Sequence, residues 1–186
     1  APKMHPKKEY AKVFLCGLAF VISIFPPFLS STFSQTIHSR SAIVMDMSTE
    51  RILYAKKPER RLPPASTAKL MTAIVAMEKA DLSDVVTISK KASEVRPSKV
   101  GFEKGDNVTL EKLLYAALIT SANDAAVALA EAVAGSEKHF VHLMNQKATS
   151  IGAKDTKFIN STGLPGAKQY TTASDLSRIM RCALNY

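Results

Sequence analysis

Two prolines, Pro63 and Pro64, stand directly before the apolar run "ASTAKLMTAIVAM" at 65–77. Prolines stop a helix arriving from the N-terminal side, and the run behind them follows helical rather than alternating periodicity. A helix is therefore expected from about Ser66 to Lys79, with Leu70, Ala73 and Met77 on one buried face. A helix of this kind needs a core to pack on, and 186 residues suit one domain able to supply it. At about 100° per residue Lys69 falls beside the apolar face, while Glu78, Lys79 and Asp81 gather at the exposed end. An amine placed there loses hydration of its charged form, so its pKa falls and it can act as a base near neutral pH. Ser66, one turn earlier, has two readings: a hydroxyl capping the helix, or a nucleophile served by Lys69.

Spacing alone does not decide between them. With 18 serines and 18 lysines, chance supplies about 1.7 Ser-x-x-Lys matches in a chain of this length. A second cluster, "ITSANDAAVALAE" at 119–131, puts Ser121 and Asn123 in a break between two helical patterns. Ser121 is either the end of one helix or a second hydroxyl able to relay a proton. Asn123 is either a cap for a helix starting at Asp124 or a carboxamide that orients a peptide carbonyl.

The N-terminus reads as a leader. Lys3, Lys7, Lys8 and Lys12 precede "VFLCGLAFVISIF" at 13–25, then two prolines and small residues. A basic segment, a short apolar segment and small residues describe a secretory signal peptide, expected over 1–34 with cleavage after Ser34. The run is shorter than the roughly 20 residues of a spanning helix, although an uncleaved signal anchor is the alternative. The rest of the chain, 35–186, forms the expected domain. Cys16 lies in the leader, so Cys182 is the single thiol of the mature chain and reads as a small core residue on a helix face. The net charge of +9 leaves +6 after the leader's share, a basic surface without the aromatic interleaving of a nucleic-acid binder. His139 and His142 have no Cys or Asp near them in sequence, so no metal is expected.

The remaining elements are helical except for a hairpin. Ala42 to Asp46 and Ile52 to Lys56 flank a polar turn. A mostly polar stretch, Asp81 to Asn107, reads as surface loop around the short strand "VVTIS". Thr109 caps a helix that carries Leu110, Leu113, Leu114, Ala117 and Leu118 on one face. A second helix ends at Gly135, a third runs from Ser136 to Gly152, and Thr172 with Asp175 forms a capping box for the last. The fold class is α+β. Because an isolated hairpin is marginal, this one is expected to belong to a larger antiparallel sheet whose other strands the chain does not contain.

"PASTAKLMTA", "LLYAALITSANDAAVALAE" and "FVHLMNQKA…IGAKDTKFINSTGLPG…YTTASDLSRIM", in this order, resemble the penicillin-binding D-alanyl-D-alanine carboxypeptidases, serine peptidases of peptidoglycan. The resemblance runs from about Ser41 to the end. It implies a β-lactamase/transpeptidase-like fold, a helical cluster packed on an antiparallel sheet. It further implies Ser66 as acyl-enzyme nucleophile, Lys69 as its base, Ser121 in proton transfer and Asn123 on the substrate amide, with no cofactor. The implied substrates are stem peptides ending in D-Ala-D-Ala, with β-lactam antibiotics as acylating mimics. The implied place is the periplasm or the outer face of the bacterial cytoplasmic membrane. Family members often carry a C-terminal membrane anchor, which this chain ends too early to show.

Two departures qualify the resemblance. The family's Lys-Thr-Gly motif is absent, so the chain is expected to be an N-terminal portion, inactive as it stands. The deacylating glutamate of class A β-lactamases has its nearest counterpart in "TKFIN", where Thr156 takes its place, so fast turnover of penicillins is not expected. The rivals are a wall-binding protein that keeps the fold without the chemistry, and an endopeptidase or β-lactamase on the same scaffold.

Overall fold

In the hairpin, strand β1 (Ala42–Met45) pairs antiparallel with β2 (Ile52–Lys56), in register Ala42 to Lys56 and Val44 to Tyr54. The turn between them is closed by Asp46, whose Oδ1 accepts from Thr49 N at 2.7 Å and Thr49 Oγ1 at 2.6 Å. These coordinates are a computed structural model that describes residues 37–186. The expected leader, its cleavage point and Cys16 lie outside the described residues. Ser39–Tyr186 form one compact unit. Among the described residues the hairpin has no third strand, and Val44, Ile52, Leu53 and Tyr54 are exposed on it.

The expected central helix begins later than its sequence suggests. Residues 65–67 form a 3-10 turn, and α1 (Ala68–Lys79) follows. Its burial is wider than a single stripe: Ala68, Lys69 and every residue from Met71 to Ala76 are buried. The reason is its position between two apolar clusters. Ala73 and Ala76 join Leu113, Ala126 and Leu129 in one, while Met71 and Ile74 join Phe140, Phe158 and Ile179 in the other.

The polar stretch 81–107 is more ordered than a loop. Strand β3 (Val85–Thr87) pairs with β4 (Asn107–Thr109), and Ser89 caps the one-turn helix α2 (Lys90–Ser93) by accepting from Ala92 N at 3.0 Å. β3 lies in the expected strand "VVTIS"; its partner β4 was not foreseen, because the pairing is long-range and three residues are too short for periodicity to register.

The capped helices follow the sequence closely. Thr109 accepts from Lys112 N at the start of α3 (Leu110–Ile119), and Gly135 ends α4 (Asn123–Ala134) at φ 73°. Ser136 caps α5 (Glu137–Ser150), and Thr172 caps α6 (Ala173–Ala183) by accepting from Asp175 N at 3.0 Å. The Asp175 carboxylate does not return to Thr172; it takes Thr156 and Arg178 instead. One burial expectation fails. Leu110, Leu113, Leu114 and Ala117 fill the core, but Leu118 is 44% exposed at the helix edge. Cys182 is half-buried against the second cluster, and no helix among the described residues is long and apolar enough to cross a membrane.

Candidate active site

Ser66 is not a cap. The turn it occupies and the helix after it have no side-chain cap hydrogen bond, and the Ser66 hydroxyl accepts from Lys69 Nζ at 3.4 Å. Ser66 itself is exposed, whereas Lys69 is only 2% exposed. A reachable hydroxyl thus stands directly over a buried amine.

Four oxygens surround that amine. Lys69 Nζ donates to Asn123 Oδ1 at 2.8 Å and to the Thr162 carbonyl at 2.9 Å. The Ser66 and Ser121 hydroxyls each lie at 3.4 Å. All four partners are neutral, so nothing offsets the loss of water, and burial pushes the Lys69 pKa down to about 8. A neutral amine has two hydrogens and one lone pair. The two short contacts match the two hydrogens, which leaves the lone pair for the hydroxyl side.

Asn123 likewise does not cap its helix. It is the first residue of α4, whose start has no side-chain cap bond. Its backbone N–H donates to Ser98 O at 2.7 Å and its Nδ2 donates to Arg96 O at 2.9 Å. With Oδ1 on Lys69, the carboxamide orientation is fixed, and one Nδ2 hydrogen is left over. Ser121 stands in the break before α4 at φ 58°, a left-handed conformation costly for serine and characteristic of residues held for function.

Two cavities meet at these residues. One, of about 180 Å³, is lined by Ser66, Ser121, Asn123, Gly163 and Leu164 among others. The other, of about 320 Å³, has Ser66, Lys69 and Ser121 with Leu70, Ala117 and Leu118. The exposure of Leu118 therefore belongs to the site.

All four residues expected from the sequence come together, but several that complete the site were not foreseen. Gly163 has φ 81°, and a Cβ there would fall 1.7 Å from the Ala65 carbonyl oxygen, so only glycine lets this loop approach Ser66. Thr162 brings the carbonyl that holds Lys69. Asp124 is fully buried and accepts from the backbone N–H groups of Gly101 at 2.9 Å and Phe102 at 3.2 Å, tying down the loop after Ser98. Glu137 accepts from Ser161 N at 3.1 Å and Ser161 Oγ at 2.8 Å, and pairs with Lys91 at 2.6 Å. Burial acts to raise its carboxyl, but the Lys91 and Ser161 donors outweigh that and hold it below the ordinary glutamate value. The glycine in "STGLPG" was the one available signal; the other contacts join residues far apart in sequence.

Thr156 is bound into the α6 cap, with Thr171 Oγ1 at 2.8 Å and Asp175 Oδ2 at 2.8 Å. His139 and His142 are exposed, and among the described residues no group of three or more His, Cys, Asp or Glu side chains is placed to hold a metal.

The sequence and the fold are similar to those of known proteins. The chain is 37% identical over 175 residues to D-alanyl-D-alanine carboxypeptidase DacF of Bacillus subtilis, covering 91% of this chain and 45% of that protein. It is 35% identical over 163 residues to a D-alanyl-D-alanine endopeptidase of Pseudomonas aeruginosa, covering 87% of this chain and 52% of that one. The chain thus spans about half the length of these curated relatives. Among solved structures, the carboxypeptidase DacD of Francisella tularensis superposes with a TM-score of 0.76 at 36% identity, covering 78% of this chain and 37% of that chain. A Streptomyces K15 DD-transpeptidase mutant gives 0.77 at 32% identity, covering 81% and 63%. A family model described as D-alanyl-D-alanine carboxypeptidase matches residues 29–186, and the chain belongs to that family.

Proposed function

We propose that the protein is an exported serine-type D-alanyl-D-alanine carboxypeptidase that removes the terminal D-Ala from peptidoglycan stem peptides. The observation that carries this reading is the buried Lys69 amine, within reach of the exposed Ser66 hydroxyl and without a counter-charge. Neutral Lys69 takes the Ser66 proton as Oγ bonds to the penultimate D-Ala carbonyl carbon. The spare Nδ2 hydrogen of Asn123 orients that peptide. Collapse of the tetrahedral intermediate breaks the C–N bond, and Ser121 passes the proton from Lys69 to the departing amine. Water then cleaves the ester, with Lys69 again as base. β-Lactams acylate Ser66 by the same first step and are released slowly, because no carboxylate lines the two cavities at Ser66 among the described residues. The site of action is the periplasm or the outer face of the bacterial cytoplasmic membrane, in keeping with the leader expected over 1–34.

The test is labelled penicillin with the full-length protein, followed by peptide mapping, beside release of D-Ala from a peptide ending in D-Ala-D-Ala. A long-lived adduct on Ser66, absent from Ser66→Ala, together with D-Ala release supports the reading. Absence of any adduct leaves a wall-binding protein, and cleavage only at internal cross-links makes it an endopeptidase like the Pseudomonas relative.

A further inference from the structure

A third, larger cavity of about 690 Å³ adjoins the 180 Å³ cavity at Ser66, and Leu164 lines both. Its other walls are Lys90, Lys91, Glu94, Val95 and Arg96, three cations against one carboxylate. Two of the cations are engaged. Lys91 is paired with Glu137 at 2.6 Å, and Lys90 lies 3.9 Å from Glu94 on the same helical side. Arg96 is the member of this rim whose guanidinium has no carboxylate partner among the described residues.

Arg96 is also fixed relative to the reaction. Its carbonyl accepts from Asn123 Nδ2, and two residues later the Ser98 carbonyl accepts from Asn123 N. The segment that presents the guanidinium is thus fastened by two hydrogen bonds to the residue that also holds Lys69 Nζ.

We infer that the Arg96 groove is a subsite for a free carboxylate on the acyl side of the peptide, upstream of the bond that Ser66 attacks. This rests on the carboxypeptidase reading above. The side of the scissile bond follows from the geometry of that reaction. A carboxypeptidase leaves one residue beyond the attacked carbonyl, so the terminal carboxylate lies no more than about 3.6 Å of chain past the carbon that Ser66 attacks. A group that passes Leu164 into the third cavity therefore belongs to the upstream residues, each adding at most about 3.6 Å of reach. Arginine suits the task because its planar fork binds a carboxylate through two parallel hydrogen bonds, and it stays charged at every working pH. The groove makes the enzyme select acidic peptides over their amidated counterparts.

The experiment uses full-length protein and two matched peptides ending in D-Ala-D-Ala, one with a free side-chain carboxylate upstream and one with that group as the amide. The expected kcat/KM ratio, acid over amide, is about fivefold in the wild type and near unity in Arg96→Gln, with partial recovery in Arg96→Lys. The ratio is read within each variant, so a general loss of activity cancels. A wild-type ratio near one, or a ratio unchanged in Arg96→Gln, overturns the subsite. Failure of the wild type to cleave either peptide overturns the carboxypeptidase reading instead.

Discussion

Lys69 Nζ lies 2.8 Å from Asn123 Oδ1, and this contact orients an amine whose pKa burial has lowered. The carboxamide oxygen and the Thr162 carbonyl absorb the two hydrogens of a neutral amine, so the lone pair faces the hydroxyls. A carboxylate in the place of Asn123 would stabilise the ammonium form and raise the pKa that burial has lowered.

The first prediction is a pH profile. With the Lys69 pKa at about 8, the neutral fraction at pH 7 is about one tenth, against less than about one thousandth for an ordinary lysine. Acylation of the full-length protein by labelled penicillin is expected to rise with pH through about 8 and then level. Lys69→Arg, which stays protonated, should lose at least about 100-fold across the range. Asn123→Asp should shift the rise to higher pH.

The same group makes stability depend on pH. The unfolded chain keeps the lysine proton up to about 10.5, while the native state releases it from about 8. Between these values the unfolded state binds more protons, so the unfolding free energy rises with pH. Urea unfolding at pH 7.5 and 9.5 should therefore show wild type gaining on Lys69→Met at the higher pH. A gap independent of pH would contradict the burial of a titrating amine.

Gly163 offers a test that separates contact from backbone strain. Gly163→Ala places a Cβ 1.7 Å from the Ala65 carbonyl oxygen, so the loop must retreat from Ser66. Gly101→Ala has a similar left-handed backbone, at φ 94°, but open space at the Cβ. Gly101→Ala should cost about 1 kcal/mol with little change in acylation. Gly163→Ala should cost at least about 2 kcal/mol and slow acylation about tenfold or more. Thermal unfolding and penicillin labelling read both.

What the sequence displayed, and what it hid, divides by the range of the contacts. Thr109, Ser136 and Thr172 each bond an N–H three residues ahead, and Gly135 needs only its own φ, so these boundaries were legible. Ser66 and Lys69 were legible as a pair because one helical turn joins them. Their functional reading was not, since the cap alternative fails only once the 3-10 turn is seen. Thr162, Gly163 and Glu137 act across gaps of 93, about 98 and 24 residues, with no local pattern to mark them. The strand β4 and the breadth of α1 burial were hidden for the same reason: both are set by what packs from elsewhere.

Asp124 carries the loop that faces the site. Its buried carboxylate accepts from Val100, Gly101, Phe102 and its own neighbour Ala125. Asp124→Ala strands several N–H groups and should cost about 3 kcal/mol, read as a lowered urea midpoint. Because Ser98 and Arg96 hold Asn123 from the same loop, acylation should fall as well. Asp124→Asn keeps the volume and one acceptor oxygen, so about half of each loss is expected.

Glu137 sets the acid limit of the site. Its carboxylate joins Lys91 on α2 to Ser161, and the Ser161 carbonyl in turn accepts from Thr72 Oγ1 at 2.7 Å, one residue before the Thr162 carbonyl that holds Lys69. Because the folded carboxyl titrates below the ordinary glutamate value of 4.5, its stabilisation is full above that value and is lost as pH falls through the folded one. Glu137→Gln removes the charge and should cost about 2 kcal/mol at pH 7. The gap between wild type and variant should then narrow progressively below about pH 4.5, where the native carboxylate itself takes up a proton. If Glu137 also keeps the Ser161–Thr162 segment in place, the variant will lose penicillin acylation at pH 7 under conditions where circular dichroism shows it folded. A variant that is less stable but acylates at the wild-type rate would confine Glu137 to a structural role.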